Sequence, residues 1–327
     1  MDFFENKTIL VTGGTGSFGK AFISDLLKNH EPKKVIVFSR DELKQFDMKY
    51  QFGEDSRLRY FIGDIRDKDR LMRAFTDVDY IVHAAALKQV DTGEYNPREF
   101  ILTNIIGSQN VVDAAIDSGV SKVIALSTDK ASSPINLYGA TKLTADKLFT
   151  AANVYGTKTH TFFSVVRYGN VMGSRGSIIP LFKELAIRGM EIPITDKRMT
   201  RFWITLDQAV SFVQEAFKEM NGGELFVPRI PSMRIIDLAT ALAPNSSIKE
   251  IGIRPGEKLH EEMISSDDSR RTVKQQNKYV ISPISAEWSY VDPEGEKLPE
   301  GFSYKSDTND LWLTVDEIKK LANSQDQ

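Results

Sequence analysis

Short apolar runs rich in β-branched residues alternate with helical patterns through the first half of this 327-residue chain, which predicts an α/β protein built on a doubly wound parallel sheet. A glycine-rich loop lies between the first run and the first helical pattern, where such sheets bind ligands. Beyond about Gly169 the alternation decays, and nine prolines from Pro180 to Pro299 divide the chain into shorter segments. That change predicts a smaller α/β lobe, with 1–169 as the sheet domain and 170–327 mainly as a substrate-binding lobe. The length suits two lobes at about 150 residues per domain.

The expected strands run from Thr8 to Val11, Val35 to Phe38, Leu58 to Ile62, Tyr80 to His83, Val123 to Ser127 and Phe162 to Tyr168. Each is short and continuously apolar, as strands covered on both faces are. Helical spacing places helices from Phe18 to Lys28, Asp67 to Phe75, Asn104 to Ser118 and Tyr138 to Val154. Gly223 to Val227 is expected to rejoin the main sheet as one more strand. Asn323 to Gln327 are expected to fray.

Composition narrows the partners. Hydrophobic residues make up 41% and charged residues 27%, with a net charge of -3 and a pI of about 5.9. Neither nucleic acid nor a membrane surface is expected as a partner, so any anionic ligand has to be held locally. The chain has no cysteine and four histidines, which excludes disulfides and thiol chemistry and makes a metal centre unexpected. The N-terminal MDFFENKTILVTGG enters a strand without an apolar run long enough for a signal peptide or membrane span, so a cytoplasmic location is expected.

The loop reads Thr12, Gly13, Gly14, Thr15, Gly16, Ser17, Phe18, Gly19. Glycines at 13, 16 and 19 let the backbone turn tightly, approach a pyrophosphate and pack helix on strand, with the helix N-terminus facing the anion. Strand, loop and helix in that order predict a dinucleotide site of Rossmann type that includes Thr15, Ser17 and Phe18. The second strand ends in Ser39 and Arg40, a hydroxyl and a guanidinium suited to a 2′-phosphate, so the expected cofactor is NADP. Asp41, one residue on, is the alternative ribose carboxylate. Asp64 and Ile65 after the third strand are placed to meet adenine, and Ala84, Ala85 and Ala86 after the fourth allow close approach of the cofactor.

Tyr138 and Lys142 stand at i and i+4, on one helix face, where an ammonium stabilises a phenolate. That pair makes a base for removing a hydroxyl proton. Thr128, Asp129 and Lys130, at the end of the fifth strand, add a hydroxyl, a carboxyl acid and a second amine base. This surplus predicts elimination as well as oxidation; on a hexose with free 4- and 6-hydroxyls, Tyr138 would take the 4-hydroxyl proton during oxidation at C4, Lys130 would remove the C5 proton, and Asp129 would protonate the departing C6 hydroxyl. The scheme requires Asp129 with a raised pKa and Lys130 with a lowered one.

The loop TGGTGSFG, the YxxxK pair and the strand ending STDK resemble the extended short-chain dehydrogenase/reductase superfamily of nucleotide-sugar enzymes. Within it, dTDP-glucose 4,6-dehydratases carry Thr-Asp-Glu where this chain has Thr128-Asp129-Lys130, and lysine is characteristic of the UDP-N-acetylglucosamine 4,6-dehydratases. ALSTDKASSPINLYGATKLTADKLF, RYGNVMGSRGSIIPLFKE, MTRFWITLDQAV and IRPGEKLHEEM are similar to the short, C5-inverting members that open the pseudaminic acid pathway. Capsule-type relatives often have Met at the position of Tyr138, and many carry membrane-spanning segments. The resemblance implies UDP-N-acetylglucosamine as substrate, tightly held NADP and a homo-oligomer, typically a hexamer. It also implies Asn170 near the pyrophosphate, Lys88 near the sugar, and Arg175, Thr200, Arg201, Arg254 and Glu257 around the nucleotide. The alternatives are an NADP-dependent epimerase of the same fold, which needs no acid/base pair for elimination, a C5-retaining or capsule-type 4,6-dehydratase, and, more remotely, a non-catalytic NADP sensor, which has no need of YxxxK.

Overall fold

The computed structural model describes residues 2–156, 160–173, 178–286, 288 and 290–324. Six parallel strands, β1 (Thr8–Thr12), β2 (Lys34–Ser39), β3 (Leu58–Ile62), β4 (Tyr80–His83), β5 (Lys122–Thr128) and β6 (Phe162–Tyr168), lie in the spatial order β3-β2-β1-β4-β5-β6. The order reverses between β1 and β4, which opens a crevice at their C-terminal ends, and this matches the doubly wound sheet expected from the sequence. Strand Leu225–Pro228 pairs parallel with β6. Strands Lys278–Ile281, Thr272–Lys274 and Glu296–Lys297 then extend the sheet antiparallel, an edge with no counterpart in the alternating pattern.

The central strands are apolar because both faces are covered. All five residues of β1 are buried, and its register sets Leu10 against Ile36 on one side and Ile81 on the other. Helix α1 (Ser17–Asn29) buries Phe22, Ile23 and Leu26 against that sheet. A second apolar cluster, with Met172, Phe182, Trp203, Leu238 and Ile318, forms the core of the later lobe.

Helix α2 (Glu42–Phe52) was not legible as a helix. Among its eleven residues only Gln45 and Met48 are buried, so it has almost no apolar stripe. Its start is fixed by Asp41, whose carboxylate accepts from the Lys44 amide at 3.0 Å. Helix α3 (Lys68–Ala74) is capped in the same way by Asp67, and α4 (Val90–Tyr95) follows β4. The helix expected from Asn104 is longer and interrupted: α5 (Pro97–Phe100) passes through a π-helical turn, Ile101–Ile106, into α6 (Gly107–Asp117). At Gly107 a Cβ would sit 2.7 Å from Ile65 Cδ1, so a larger residue there would displace the Ile65 side chain. Helix α7 (Leu137–Ala151) carries the Tyr138/Lys142 pair and ends earlier than periodicity suggested, before a separate turn at Asn153–Gly156.

His83, at the end of β4, is buried between the Thr12 hydroxyl, 2.8 Å from Nδ1, and the Ser108 hydroxyl, 3.3 Å from Nε2. Burial first, and the Lys142 charge second, hold its imidazole neutral, with the pKa brought down to about 3. The unfolded imidazole titrates near 6.5, so the unfolded chain takes up the proton first as pH falls. Stability supplied by neutral His83 is present above that value and is lost progressively towards the folded one. Chemical denaturation should show about 2 kcal/mol less stability at about pH 5 than near neutrality from this residue, and His83→Gln should remove that part of the slope.

Candidate active site

The glycine loop forms a cradle that only glycine permits. Gly13 has φ +66°, and a Cβ there would lie 2.9 Å from Ala85 Cα and N; a Cβ on Gly19 would lie 2.6 Å from Gly14 Cα. The first strand, the alanine turn and the start of α1 therefore close on one another. The N-terminus of α1 faces a cleft of about 700 Å³ at the sheet's switch point. Gly13, Thr15, Gly16, Ser17, Phe18, Gly19, Ala84, Ala85 and Ala86 all line this cleft, and the residues fit a dinucleotide pyrophosphate.

Other cofactor candidates stand off the cleft wall. Ser39 is bonded to Thr15 through its hydroxyl at 2.9 Å, and Arg40 is exposed, 3.7 Å from Asp64. Asp64 is also gripped by Arg66 at 2.7 Å, while the Ile65 side chain is buried in the core. Asp41 caps α2 and pairs with Lys44 at 2.7 Å, which engages the carboxylate considered for ribose.

Thr128, at the end of β5, is followed by a single 3₁₀ turn, Asp129–Ala131. The first turn of α7 packs directly on that turn: Asn136 caps the helix, accepting from the Gly139 amide at 2.7 Å. A Cβ on Gly139 would reach 2.1 Å from the Lys130 carbonyl oxygen. Glycine at 139 thus brings Tyr138 beside Lys130. Thr128, Lys130, Tyr138 and Lys142 share the cleft wall.

Asp129 is fully buried behind that wall. Its Oδ1 accepts from the Thr128 hydroxyl at 2.9 Å and from Lys130 Nζ at 3.0 Å, while Oδ2 has no partner among the described residues. Lys130 Nζ also lies 3.3 Å from Oε1 of Glu261, itself buried. Burial pushes the Lys130 ammonium down, but the Asp129 and Glu261 carboxylates outweigh it and hold the group above the ordinary lysine value. The lowered pKa expected for Lys130 is therefore not found in this arrangement; two carboxylates surround the amine where sequence offered one.

Tyr138 also differs from expectation. Burial pushes its phenol up to about 12, opposed by the Lys130 charge and a hydrogen bond with Thr128. Lys142 instead donates to the Leu126 carbonyl at 2.7 Å, and burial pulls its ammonium down against the pull of Asp146. The cation acting on the phenol is Lys130, not its i+4 neighbour.

Of the substrate candidates, Lys88, Asn170, Arg201, Arg254 and Glu257 line the cleft. Burial pushes Lys88 down, and Asn170 has a buried Oδ1 without a partner among the described residues. Arg201 is a wall residue: its terminal nitrogens donate to the carbonyls of Thr200, Leu259 and Lys258 at 2.7, 3.1 and 2.9 Å. Arg254 is exposed and pairs with Glu257 at 3.4 Å. Thr200 turns away from the cleft, its hydroxyl 2.8 Å from His260 Nδ1 and 2.7 Å from Ser306 Oγ. Arg175 lies outside the described residues. Glu261 escaped sequence reasoning, because its only signal was its place in the segment IRPGEKLHEEM.

A family model described as "Polysaccharide biosynthesis protein" matches residues 9–283. The chain belongs to that family. A UDP-N-acetylglucosamine 4,6-dehydratase (inverting) from Campylobacter jejuni subsp. jejuni serotype O:2 is 56% identical, over 98% of each chain. A UDP-glucose 4-epimerase from Rickettsia akari is 41% identical, over 97% of this chain and 96% of its own. The fold is also similar to the crystal structure of DesIV, a dTDP-glucose 4,6-dehydratase from Streptomyces venezuelae with NAD and TYD bound. That similarity has a TM-score of 0.69 and 26% identity, covering 77% of this chain and 86% of the other. Among the described residues no helix is long and apolar enough to cross a membrane, and no group of acidic or histidine side chains could hold a metal ion.

Proposed function

We propose that this chain is a hydro-lyase, a UDP-N-acetylglucosamine 4,6-dehydratase that inverts C5 and yields UDP-2-acetamido-2,6-dideoxy-β-L-arabino-hexos-4-ulose. The observation that carries this reading is the contact, at 3.0 Å, of the buried Asp129 with Lys130, which stands on the cleft wall beside Tyr138 and Thr128. An epimerase or a binding protein has no use for that pair.

NADP would lie along the loop 13–19 and the alanine turn, and its contribution is to accept hydride from C4 and return it to C6. Arg40 and Ser39 at the end of β2 favour the 2′-phosphate form, since Asp41 is engaged as a helix cap. Tyr138 takes the proton of the 4-hydroxyl while Thr128 holds the same oxygen. The resulting ketone acidifies C5. Moving one proton across the Lys130–Asp129 contact converts the resting ion pair into neutral amine and carboxylic acid without changing the proton count. The amine then removes the C5 proton, the C5–H electrons form the C5=C6 bond, and the C6–O bond breaks as Asp129 supplies the proton that makes water. Elimination returns Lys130 to ammonium and Asp129 to carboxylate, the resting state. Thr128 joins the buried carboxyl to the cleft, which gives the proton a route outward. Inversion requires the final proton to reach the opposite face of C5, with Tyr138 and Lys130 as the two candidate donors.

Residues 1–169 act as the NADP domain and 170–327 mainly as the substrate lobe, with Lys88, Asn170 and Arg254 towards the sugar and diphosphate. The reading places the enzyme in the cytoplasm at the head of pseudaminic acid synthesis for flagellin glycosylation, as a homo-oligomer, a hexamer. The exposed apolar residues Tyr95, Ile101 and Ile106 are consistent with self-association.

The deciding experiment is incubation with UDP-N-acetylglucosamine in deuterium oxide. The product should have lost one water, carry deuterium at C5 and show inverted couplings by NMR, with no net release of reduced cofactor. Denaturing the protein should release NADP, identified by mass. No loss of water, or an epimerised sugar of unchanged mass, would overturn the reading.

A further inference from the structure

Glu261 belongs to the reacting group of side chains although no step above uses it. It is 2% exposed, on the segment leading into strand Glu262–Ile264, and meets the same Lys130 ammonium as Asp129. Three observations bear on its role. Its Oε1 lies 3.3 Å from Lys130 Nζ and 3.7 Å from Arg201 Nε, so it bridges the amine to a guanidinium whose other nitrogens are fixed on backbone carbonyls. Its Oε2 is buried without a partner among the described residues, as is Asp129 Oδ2, so the group keeps two unfilled acceptor positions beside one amine. Its neighbour Lys258 donates to the Ser132 carbonyl at 2.6 Å and adds a further, more distant positive charge beside Glu261.

Asp129 must change charge during elimination. While it is protonated it no longer anchors Lys130 as an anion, and the neutral amine must still aim its lone pair at C5–H. A neutral amine has two N–H bonds; one directed at a second fixed carboxylate sets where the lone pair points. Glu261 is that carboxylate, and Arg201 fixes it.

We propose that Glu261 is a positioning residue for the elimination: it holds the Lys130 amine in place while Asp129 exchanges its proton with the substrate. This rests on the dehydratase reading, deepens it, and assigns Glu261 no contact with the sugar.

The test compares the wild-type chain with Glu261→Gln and Glu261→Ala, each checked by thermal unfolding. Gln keeps the shape and an acceptor oxygen but loses the charge; Ala loses both. Misplacing a catalytic group by about 1 Å costs on the order of a hundredfold, so Glu261→Ala should lower kcat for dehydration by about that factor, with KM little changed. Glu261→Gln should recover part of the loss. In single turnover both variants should still oxidise C4, so the near-ultraviolet absorbance of enzyme-bound reduced nicotinamide should build up where the wild-type enzyme shows little. Wild-type kcat in a folded variant, or equal loss of C4 oxidation and of dehydration, would overturn the inference. A wild-type chain that does not dehydrate UDP-N-acetylglucosamine would instead overturn the function on which it rests.

Discussion

Replacing Lys130 with Ala should lower dehydration by about a thousandfold, within the range expected when a positioned base is removed. Dinucleotide binding should be unchanged, because the loop 13–19 and Ala85 lie on other elements and touch none of the Lys130 contacts. The variant should stall after oxidation at C4, with reduced cofactor and 4-keto sugar held in the cleft. A second effect has a definite sign. Burial raises the Tyr138 pKa and the Lys130 charge is the leading influence against it, so loss of Lys130 raises the phenol further. Formation of reduced cofactor in Lys130→Ala should therefore require higher pH than in the wild type. Dehydration measured by mass, bound-cofactor absorbance across pH and dinucleotide titration check the three parts. Surviving turnover would place the C5 base elsewhere.

Lys130 also shows where a linear reading ends. The order of strands and helices, the glycine loop and the Asp129/Lys130/Tyr138/Lys142 cluster were legible because each depends on local periodicity or short spacing. Glu261 was not, because it meets Lys130 across 131 positions of chain, a separation set by the packing of the later lobe on the 3₁₀ turn after β5. That contact adds to the stronger pull of Asp129, and together the two carboxylates hold the Lys130 ammonium up against burial. Helix α2 was missed for a different reason: it covers little core, and its start depends on the Asp41 cap. The same cap explains why Asp41, the nearest carboxylate to the expected ribose position, is engaged with the α2 backbone. Thr200 illustrates the opposite error, a polar residue in a suggestive segment whose hydroxyl serves His260 and Ser306 in the interior.

Replacing Tyr138 with Phe should act one step earlier. Phe keeps the ring, its packing on the 3₁₀ turn and the close approach at Gly139, so the fold and the Asp129–Lys130–Glu261 contacts should persist. Only the phenol oxygen is lost, and with it the base for the 4-hydroxyl, so oxidation at C4 should fall by about a thousandfold. Without a ketone at C4 the C5 hydrogen is not acidic, and Lys130 has nothing to remove. The two variants therefore separate in one measurement: Lys130→Ala accumulates bound reduced cofactor and Tyr138→Phe does not, although neither releases product. If Tyr138 only oriented the substrate and Lys130 served as base in both steps, Tyr138→Phe would retain oxidation and Lys130→Ala would lose it. The raised phenol pKa makes this a real alternative, because a phenol held near 12 is almost wholly protonated at neutral pH. Supplying the preformed 4-keto intermediate with reduced cofactor decides between them. Tyr138→Phe should carry it through elimination and hydride return at a rate limited by reprotonation at C5, whereas Lys130→Ala should not eliminate water at all. Full recovery of inverted product in Tyr138→Phe would then leave Lys130 as the donor to the opposite face of C5, and loss of inversion alone would assign that proton to Tyr138.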